Sequence, residues 1–307
     1  MKVLITGGAG FIGSYLANAF TSEKVVTVDV RPYPKKKNHF VFDLTDRNST
    51  WYFLQKISPD VIIHCAAIKN LLRCETNKEL AIKTNIDATK ILAEYAKNNN
   101  VFLVYLSSDQ VFDGKKGNYK EDDKPNPLNV YGFTKLGSEI AIQETTDNFA
   151  ICRTAMVYGD FPEHLKDHVI QEISREKFEG ADQSLFPQWV IKKLNENREI
   201  SVYIDRFCTP TYIGDLVDII LSIIKKGKKG LFHIAGYERV NRYEYAQIIA
   251  EIWGFDKDLI KPVTYAEPVE RPADCSLCID KIRRELQANP KSLRNGLREL
   301  KSKYNVM

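Results

Sequence analysis

Tyr131 and Lys135 stand four residues apart in the run Tyr131-Gly132-Phe133-Thr134-Lys135. On a helix that spacing puts both side chains on one face. An ammonium beside a phenol favours the phenolate and draws the tyrosine pKa toward neutrality, so the phenol becomes a usable proton donor or acceptor. The spacing alone is common on amphipathic helices. Two further groups give it meaning. Gly7-Gly8-Ala9-Gly10-Phe11-Ile12-Gly13 opens the chain, and Ser107-Ser108-Asp109 ends an apolar run upstream of the tyrosine.

The glycine run directly follows one apolar segment and opens a helical one, the context in which such glycines hold a dinucleotide. Gly7 permits the tight turn, Gly10 lets the backbone approach a pyrophosphate, and Gly13 lets the helix pack close. Phe11 and Ile12 begin the helix whose N–H groups face the phosphates. A nucleotide triphosphate loop needs Lys after its last glycine, and Ser14 stands there instead. Asp29 ends the second strand, where a carboxylate takes both adenosine ribose hydroxyls and repels a 2′-phosphate. That favours NAD. Arg31 and the run Lys35-Lys36-Lys37 lie in the same neighbourhood and keep NADP open. Asp43 and Leu44 are expected at the adenine edge. Ala66 and Ala67, after His64-Cys65, are small where the cofactor crosses the sheet.

These groups need a scaffold. Lys2–Thr6, Lys24–Asp29, Asp60–Cys65 and Val101–Ser107 read as short, buried strands. Helical patterns run over about 12–21, 46–57, 78–99 and 131–145. Strand–helix alternation with near-continuous apolar strands implies an α/β chain, a Rossmann-type doubly wound parallel sheet. Its ligand site belongs at the carboxyl ends of the strands. Residues 1–159 are expected to form the NAD(P)-binding part, completed by about 200–235. Residues 160–199 and 236–307 then form a smaller, interleaved substrate-binding part. Within it, 160–182 is charged and reads as an exposed insertion. A strand at 200–204, a helix at 214–226, a strand at 230–235, a helix at 241–253 and a basic amphipathic helix over 291–304 follow.

At 307 residues the chain buries a core without staples. Hydrophobic content of 44% and charged content of 27% describe an ordinary soluble globule. A net charge of +4, spread along the chain, gives no nucleic-acid patch. No apolar stretch approaches a membrane span, and no leader precedes the first strand, so a cytoplasmic enzyme is expected. The cysteines at 65, 74, 152, 208, 275 and 278 have no disulfide rhythm. Cys275-Ser-Leu-Cys278 is half a zinc site without a second half, and His164 and His168 sit among charges. No metal site is expected.

With Val104 to Gly114 ending the fifth strand, the chain resembles the extended short-chain dehydrogenase/reductase family over nearly its whole length. Within that family it is most similar to the dTDP-4-dehydrorhamnose reductases. Ser107 to Gly114, Asn126 to Lys135, Arg153-Thr154, Val157-Tyr158-Gly159, Thr209-Pro210-Thr211 and Arg271-Pro272 ahead of Ser276-Leu277 carry the resemblance. It implies that Ser108 hydrogen-bonds the substrate carbonyl and that Tyr131 donates its proton as hydride arrives. Lys135 would bind the nicotinamide ribose, and Asn85 would support a proton-relay water. Asp109, Gln110, Met156, Thr209 and Arg271 would meet the substrate, Arg271 through a charge-assisted bond to a nucleotide-diphosphate tail.

The sugar-nucleotide 4,6-dehydratases carry Glu where this chain has Gln110, and a carboxamide cannot take their proton. The reductases usually carry Tyr there, and Trp where Met156 stands. The resemblance therefore implies an NAD(P)H-dependent reductase of a 4-keto nucleotide-activated deoxysugar, with a homodimer as its assembly. An epimerase that keeps its NAD is the second reading. A nucleotide-binding regulatory partner, like the regulatory subunit of methionine adenosyltransferase, is the third.

Overall fold

Runs rich in Val, Ile and Leu make the central strands, because β-branched chains suit a pleated surface covered on both faces. The computed structural model describes residues 1–21, 24–34, 36–176, 183–266 and 268–303. Seven strands form one sheet: β1 (Lys2–Thr6), β2 (Lys24–Asp29), β3 (His39–Val41), β4 (Val61–His64), β5 (Phe102–Ser108), β6 (Phe149–Thr154) and β7 (Gly230–His233). Their order is β7-β6-β5-β4-β1-β2-β3. The pairs β2–β3, β1–β2, β1–β4 and β4–β5 run parallel. The chain winds outward from β1 to β3 and then returns to β4 on the other side of β1. That reversal opens a crevice at the carboxyl ends of β1 and β4.

Helices α1 (Phe11–Ala19), α2 (Arg47–Ile57), α3 (Leu71–Thr76), α4 (Lys78–Ile82), α5 (Ala88–Asn99) and α6 (Val130–Thr145) belong to the same unit. Asp46 caps α2 by accepting the Ser49 N–H at 2.7 Å, and Asn129 caps α6 through Gly132 at 2.8 Å. Asn100, with φ +52°, ends α5 in the left-handed region. The core between sheet and helices holds Leu4, Val28, Leu54, Ile62, Leu92, Leu103 and Ile151 among others. The expected helix over 78–99 is not continuous. A π-helical turn, Lys83–Asp87, separates α4 from α5.

By packing, the chain divides into two units. The first comprises Met1–Val111, Asn129–Arg153 and Val217–Phe232. The second comprises Phe112–Leu128, Thr154–Leu216 and His233–Met307. Residues 112–128 and 200–216 thus fall in the second unit, and 217–232 completes the first.

The second unit is built from short pairings. Val157–Tyr158 runs parallel to Thr211–Tyr212, Ile200–Tyr203 parallel to Ile260–Val263, and Phe207–Cys208 antiparallel to Val240–Asn241. Helices Lys166–Ile173, Phe186–Asn195, Arg242–Trp253, Asp280–Leu286 and Leu293–Lys303 belong to the same unit. The stretch 160–182 corrects the sequence reading. Phe161, Leu165, Val169 and Ile173 are buried: Val169 and Ile173 share one face of the Lys166–Ile173 helix, and Leu165 ends the turn that leads into it. Residues 177–182 of that stretch, Lys35 of the lysine run and Tyr304 of the last expected helix lie outside the described residues. Among the described residues no helix is long and apolar enough to cross a membrane.

Candidate active site

The glycine turn sits at the crevice. Gly7 has φ +66°, and a Cβ there would lie 2.7 Å from the Ala66 nitrogen, so the turn and the end of β4 touch through backbone alone. A Cβ on Gly13 would stand 2.2 Å from the Gly7 carbonyl oxygen. On Gly10 it would approach only the Gly7 oxygen at 3.1 Å and an Arg31 nitrogen at 3.5 Å. No side chain caps α1, whose first turn, Phe11 and Ile12 included, carries no acidic residue. A bare helix start with a guanidinium alongside fits a pyrophosphate. Asp29 lies at the same turn. Its Oδ2 accepts the Ala9 N–H at 3.2 Å, while Oδ1 accepts the Arg31 N–H at 3.0 Å and Nε at 3.3 Å. Asp43 is exposed and caps Thr45 through a 2.9 Å bond. The Leu44 side chain belongs to the core rather than to an open adenine edge. Ala66 and Ala67 are half-buried beside the turn.

Tyr131, Lys135 and Ser108 come from β5 and α6 of the same unit. Tyr131 is half-buried in the first turn of α6, and Lys135 is buried one turn on. The Lys135 ammonium donates to the Leu106 carbonyl and stands 4.1 Å from the centre of the Tyr105 ring. Desolvation lowers its pKa to about 7, against the opposing charge of Glu139. Ser108 is buried at the end of β5. Its hydroxyl donates to Asp109 at 2.9 Å and accepts the Gln110 N–H at 3.2 Å. Gln110 in turn accepts from Asn129 at 3.4 Å, which links the strand end to the cap of α6.

Beneath this face lie two buried networks. Glu139, one turn beyond Lys135, accepts Arg153 Nε at 2.9 Å and Nη2 at 2.6 Å, and also takes the Ser107 hydroxyl. The second network starts at the Ala66 N–H, which donates to Thr6 Oγ1 at 3.3 Å. Thr6 Oγ1 lies 2.6 Å from His64 Nδ1, and His64 Nε2 lies 2.9 Å from Thr89 Oγ1. Thr89 donates to the Asn85 carbonyl at 2.5 Å. The Thr89 proton is thus committed, so Nε2 of the imidazole carries the hydrogen and Nδ1 accepts. Burial, then the nearby Lys135, lowers the His64 pKa to about 3, while burial pushes the Cys65 thiol up to about 12. Both stay neutral at physiological pH.

Asn85 does not face an open site. It is 1% exposed, its amide oxygen accepts Ile68 N–H at 2.8 Å, and its amide nitrogen reaches the Ile68 carbonyl at 3.1 Å and Thr134 Oγ1 at 2.8 Å. Its carbonyl receives Thr89 and lies 2.8 Å from Ser138 Oγ. The expected relay water would have to displace one of these partners. Asn85 ties the segment after β4 to α6.

In the second unit, Met156 adopts φ +38°, in the left-handed region, with its thioether against Arg242 and 3.4 Å from Cys208 Sγ. Thr209 is buried and its hydroxyl accepts the Leu277 N–H at 3.2 Å, so it holds backbone rather than an open contact. Arg271 is half-buried, 5.9 Å from the Tyr265 ring centre. All six cysteines are free. Among the described residues no three His, Cys, Asp or Glu side chains gather where a metal could sit.

A family model described as "RmlD substrate binding domain" matches residues 1–306. The chain belongs to the RmlD substrate binding domain family. Its curated relatives include methionine adenosyltransferase 2 subunit beta of Xenopus tropicalis, 30% identical over 97% of this chain and 86% of that one. Another is a probable low-salt glycan biosynthesis reductase of Haloferax volcanii, 27% identical over 99% of this chain and 98% of that one. Among solved structures, the dTDP-4-dehydrorhamnose reductase of Bacillus anthracis in complex with NADP superposes with TM-score 0.84, at 24% identity, each chain covered to 99%. The reductase ortholog of Clostridium acetobutylicum gives TM-score 0.83 at 27% identity, covering 98% of this chain and 99% of that one. The resemblance to extended short-chain dehydrogenase/reductases and the doubly wound α/β fold both stand.

In this RmlD-family chain the sequence reading missed Glu139, Arg153 as its partner, and the Thr6–His64–Thr89 chain. Glu139 had a signal, since it continues the Tyr131–Lys135 face at the next four-residue step. Its partner Arg153 sits on another element, and nothing in the spacing announces the pair. His64 was visible only as a polar residue ending an apolar strand.

Proposed function

We propose that the protein reduces the 4-keto group of a nucleotide-activated deoxysugar with a nicotinamide cofactor, as a dTDP-4-dehydrorhamnose reductase does. The observation that carries this reading is Lys135. It is buried one turn from Tyr131 on α6, and its ammonium is anchored on the Leu106 carbonyl two residues before Ser108. The bare start of α1, Gly10 and Arg31 suit the dinucleotide phosphates. The bound nicotinamide would supply hydride to the carbonyl carbon. Ser108 would turn its hydroxyl from Asp109 to the carbonyl oxygen, with the Gln110 N–H keeping its oxygen in place. Tyr131 would give its phenolic proton to that oxygen, leaving an alcohol on the sugar and a phenolate that Lys135 favours while cationic. Asp109, Gln110, Met156 and Arg271 remain our substrate-side residues. Gln110 cannot serve as the base of a dehydratase.

Asp29 at the end of β2 supports NAD, while the half-exposed Arg31 beside Gly10 suits the extra phosphate of NADP. We place the NAD(P)-binding role in the first unit, the substrate-binding role in the second, and the protein in the cytoplasm as a homodimer. Exposed Leu72, Ile82, Phe133 and Ile140 on α3, α4 and α6 support the dimer. The test is loss of nicotinamide absorbance, with NADH and NADPH separately, against dTDP-, UDP-, GDP- and CDP-linked 4-keto sugars. One sugar should be reduced stoichiometrically, and Tyr131→Phe should lose at least about 100-fold in kcat with cofactor affinity kept. Wild-type turnover by Tyr131→Phe would remove Tyr131 from the mechanism.

A second reading has its own support. A methionine adenosyltransferase regulatory subunit matches almost the whole chain, and Met156 and Gln110 depart from the reductases. Silence across the panel would favour it if the protein is purified without cofactor, and would favour an epimerase if NAD comes with it.

A further inference from the structure

The first unit buries charge that the mechanism leaves unused. Glu139 and Arg153 are 1% and 2% exposed, and their carboxylate and guanidinium meet as a two-pronged pair in the core of the first unit. A buried ion pair is a poor device for stability alone. Desolvating both partners consumes most of the attraction, and well-packed apolar residues often serve as well or better. A pair kept in such a place calls for a function that an apolar contact could not supply.

Its surroundings suggest one. The pair joins α6 to β6, and the Ser107 hydroxyl brings in β5 one residue before Ser108. Glu139 therefore holds the helix of Tyr131 and Lys135 against the strand of Ser108. It also stands one turn from Lys135, and of the groups that favour the ammonium there it acts most strongly. Around Lys135, burial keeps His64 and Cys65 in their neutral forms and disfavours the ammonium too. Without a carboxylate near, this floor would hold Lys135 uncharged.

We propose that Glu139 is a positioning residue: clamped by Arg153 and Ser107, it fixes α6 on β5 and β6 and supplies the charge that keeps Lys135 cationic. The inference rests on the reductase reading only in giving Lys135 a task on the cofactor ribose. Its first readout is therefore cofactor affinity, which needs no turnover. NADH and NADPH binding, followed by nicotinamide fluorescence from pH 5.5 to 9, should weaken as Lys135 loses its proton. In Glu139→Gln the amide keeps the shape, and its one oxygen can still accept from Arg153 Nε and Ser107, while its NH2 cannot accept the second Arg153 bond. The midpoint should move to lower pH by about one unit, so that affinity drops about tenfold at pH 8 and little at pH 6. Glu139→Asp keeps the charge and should leave the midpoint close to wild type even if affinity falls. Where a substrate is known, kcat/KM should follow the same shift.

A folded Glu139→Gln protein with an unmoved midpoint would overturn the proposal. If that variant does not fold with Arg153 left unpaired, Glu139→Gln/Arg153→Met removes both charges, and its midpoint should still move to lower pH, by less, because loss of the Arg153 cation partly offsets loss of the carboxylate; an unmoved midpoint overturns the proposal here too. A shifted midpoint in a protein that reduces none of the sugars would uphold the role of Glu139 while ending the reductase reading.

Discussion

A lysine as deeply buried as Lys135 is destabilising for as long as the unfolded chain would hold its proton. Its pKa falls from 10.5 to about 7 on folding, so between those values the unfolded state binds more protons than the native one and stability rises with pH. The penalty is complete below about pH 7, on the order of 5 kcal/mol, and fades as pH approaches 10.5. Lys135→Met removes that penalty but loses the Leu106 bond and the seat on Tyr105, worth roughly 2 kcal/mol together. The variant should therefore be inactive yet melt several degrees higher at pH 6.5 in cofactor-free protein, with the gain shrinking toward pH 9.5. Thermal unfolding at the two pH values checks this, and a gain that grew with pH would contradict it. At this scale the sequence was most legible where one residue type has one use. Gly7 and Gly13 could be read because a Cβ fits neither place, and Tyr131 and Lys135 because a helix fixes their spacing. Thr209 carried no such signal, because a threonine hydroxyl serves backbone, here the Leu277 N–H, as readily as substrate.

Between elements, Asn85 shows what spacing alone could not say. The π-turn Lys83–Asp87 inserts a wide step into a helical pattern without altering its composition, so the sequence reads as one helix over 78–99. That step presents Asn85 to Ile68 on one side and to Thr134 on the other. Replacing Asn85 with Leu would leave both polar groups of the half-buried Ile68 without this partner, the carbonyl keeping the Cys74 thiol at 3.4 Å. Each unmade bond costs about 1–3 kcal/mol, so urea unfolding should report a loss of about 3 kcal/mol. A loss under about 0.5 kcal/mol would mean the tie carries no load. The strands β1, β2, β4 and β5, by contrast, were legible to within a residue, because runs such as Val61–His64 have no other home than a covered sheet, whereas β3 was given no bounds and β6 was not read. The charged stretch after Gly159 misled because charges on the outer face outnumber its four buried apolar residues.

For the molecule as a whole, alternation of strand and helix was enough to give the parallel sheet, and motif spacing enough to give the family. It was not enough to place the division between units, since residues 112–128 leave the first unit and return at Asn129 with no change of composition. The homodimer belongs to this scale as well. Light scattering on purified protein should give about twice the 35.2 kDa of the chain, and Phe133→Glu should halve it by placing a charge on the exposed apolar stripe of α6. A monomeric wild type at working concentration would remove the assembly. The chain of bonds through His64 runs from β1 to α5. Turning the imidazole over would set a ring carbon against both Thr6 and Thr89, so the ring is locked and the row of dipoles has one polarity. An imidazole commonly reports acidity; this one is a spacer that conveys direction, indifferent to pH across the range in which proteins work.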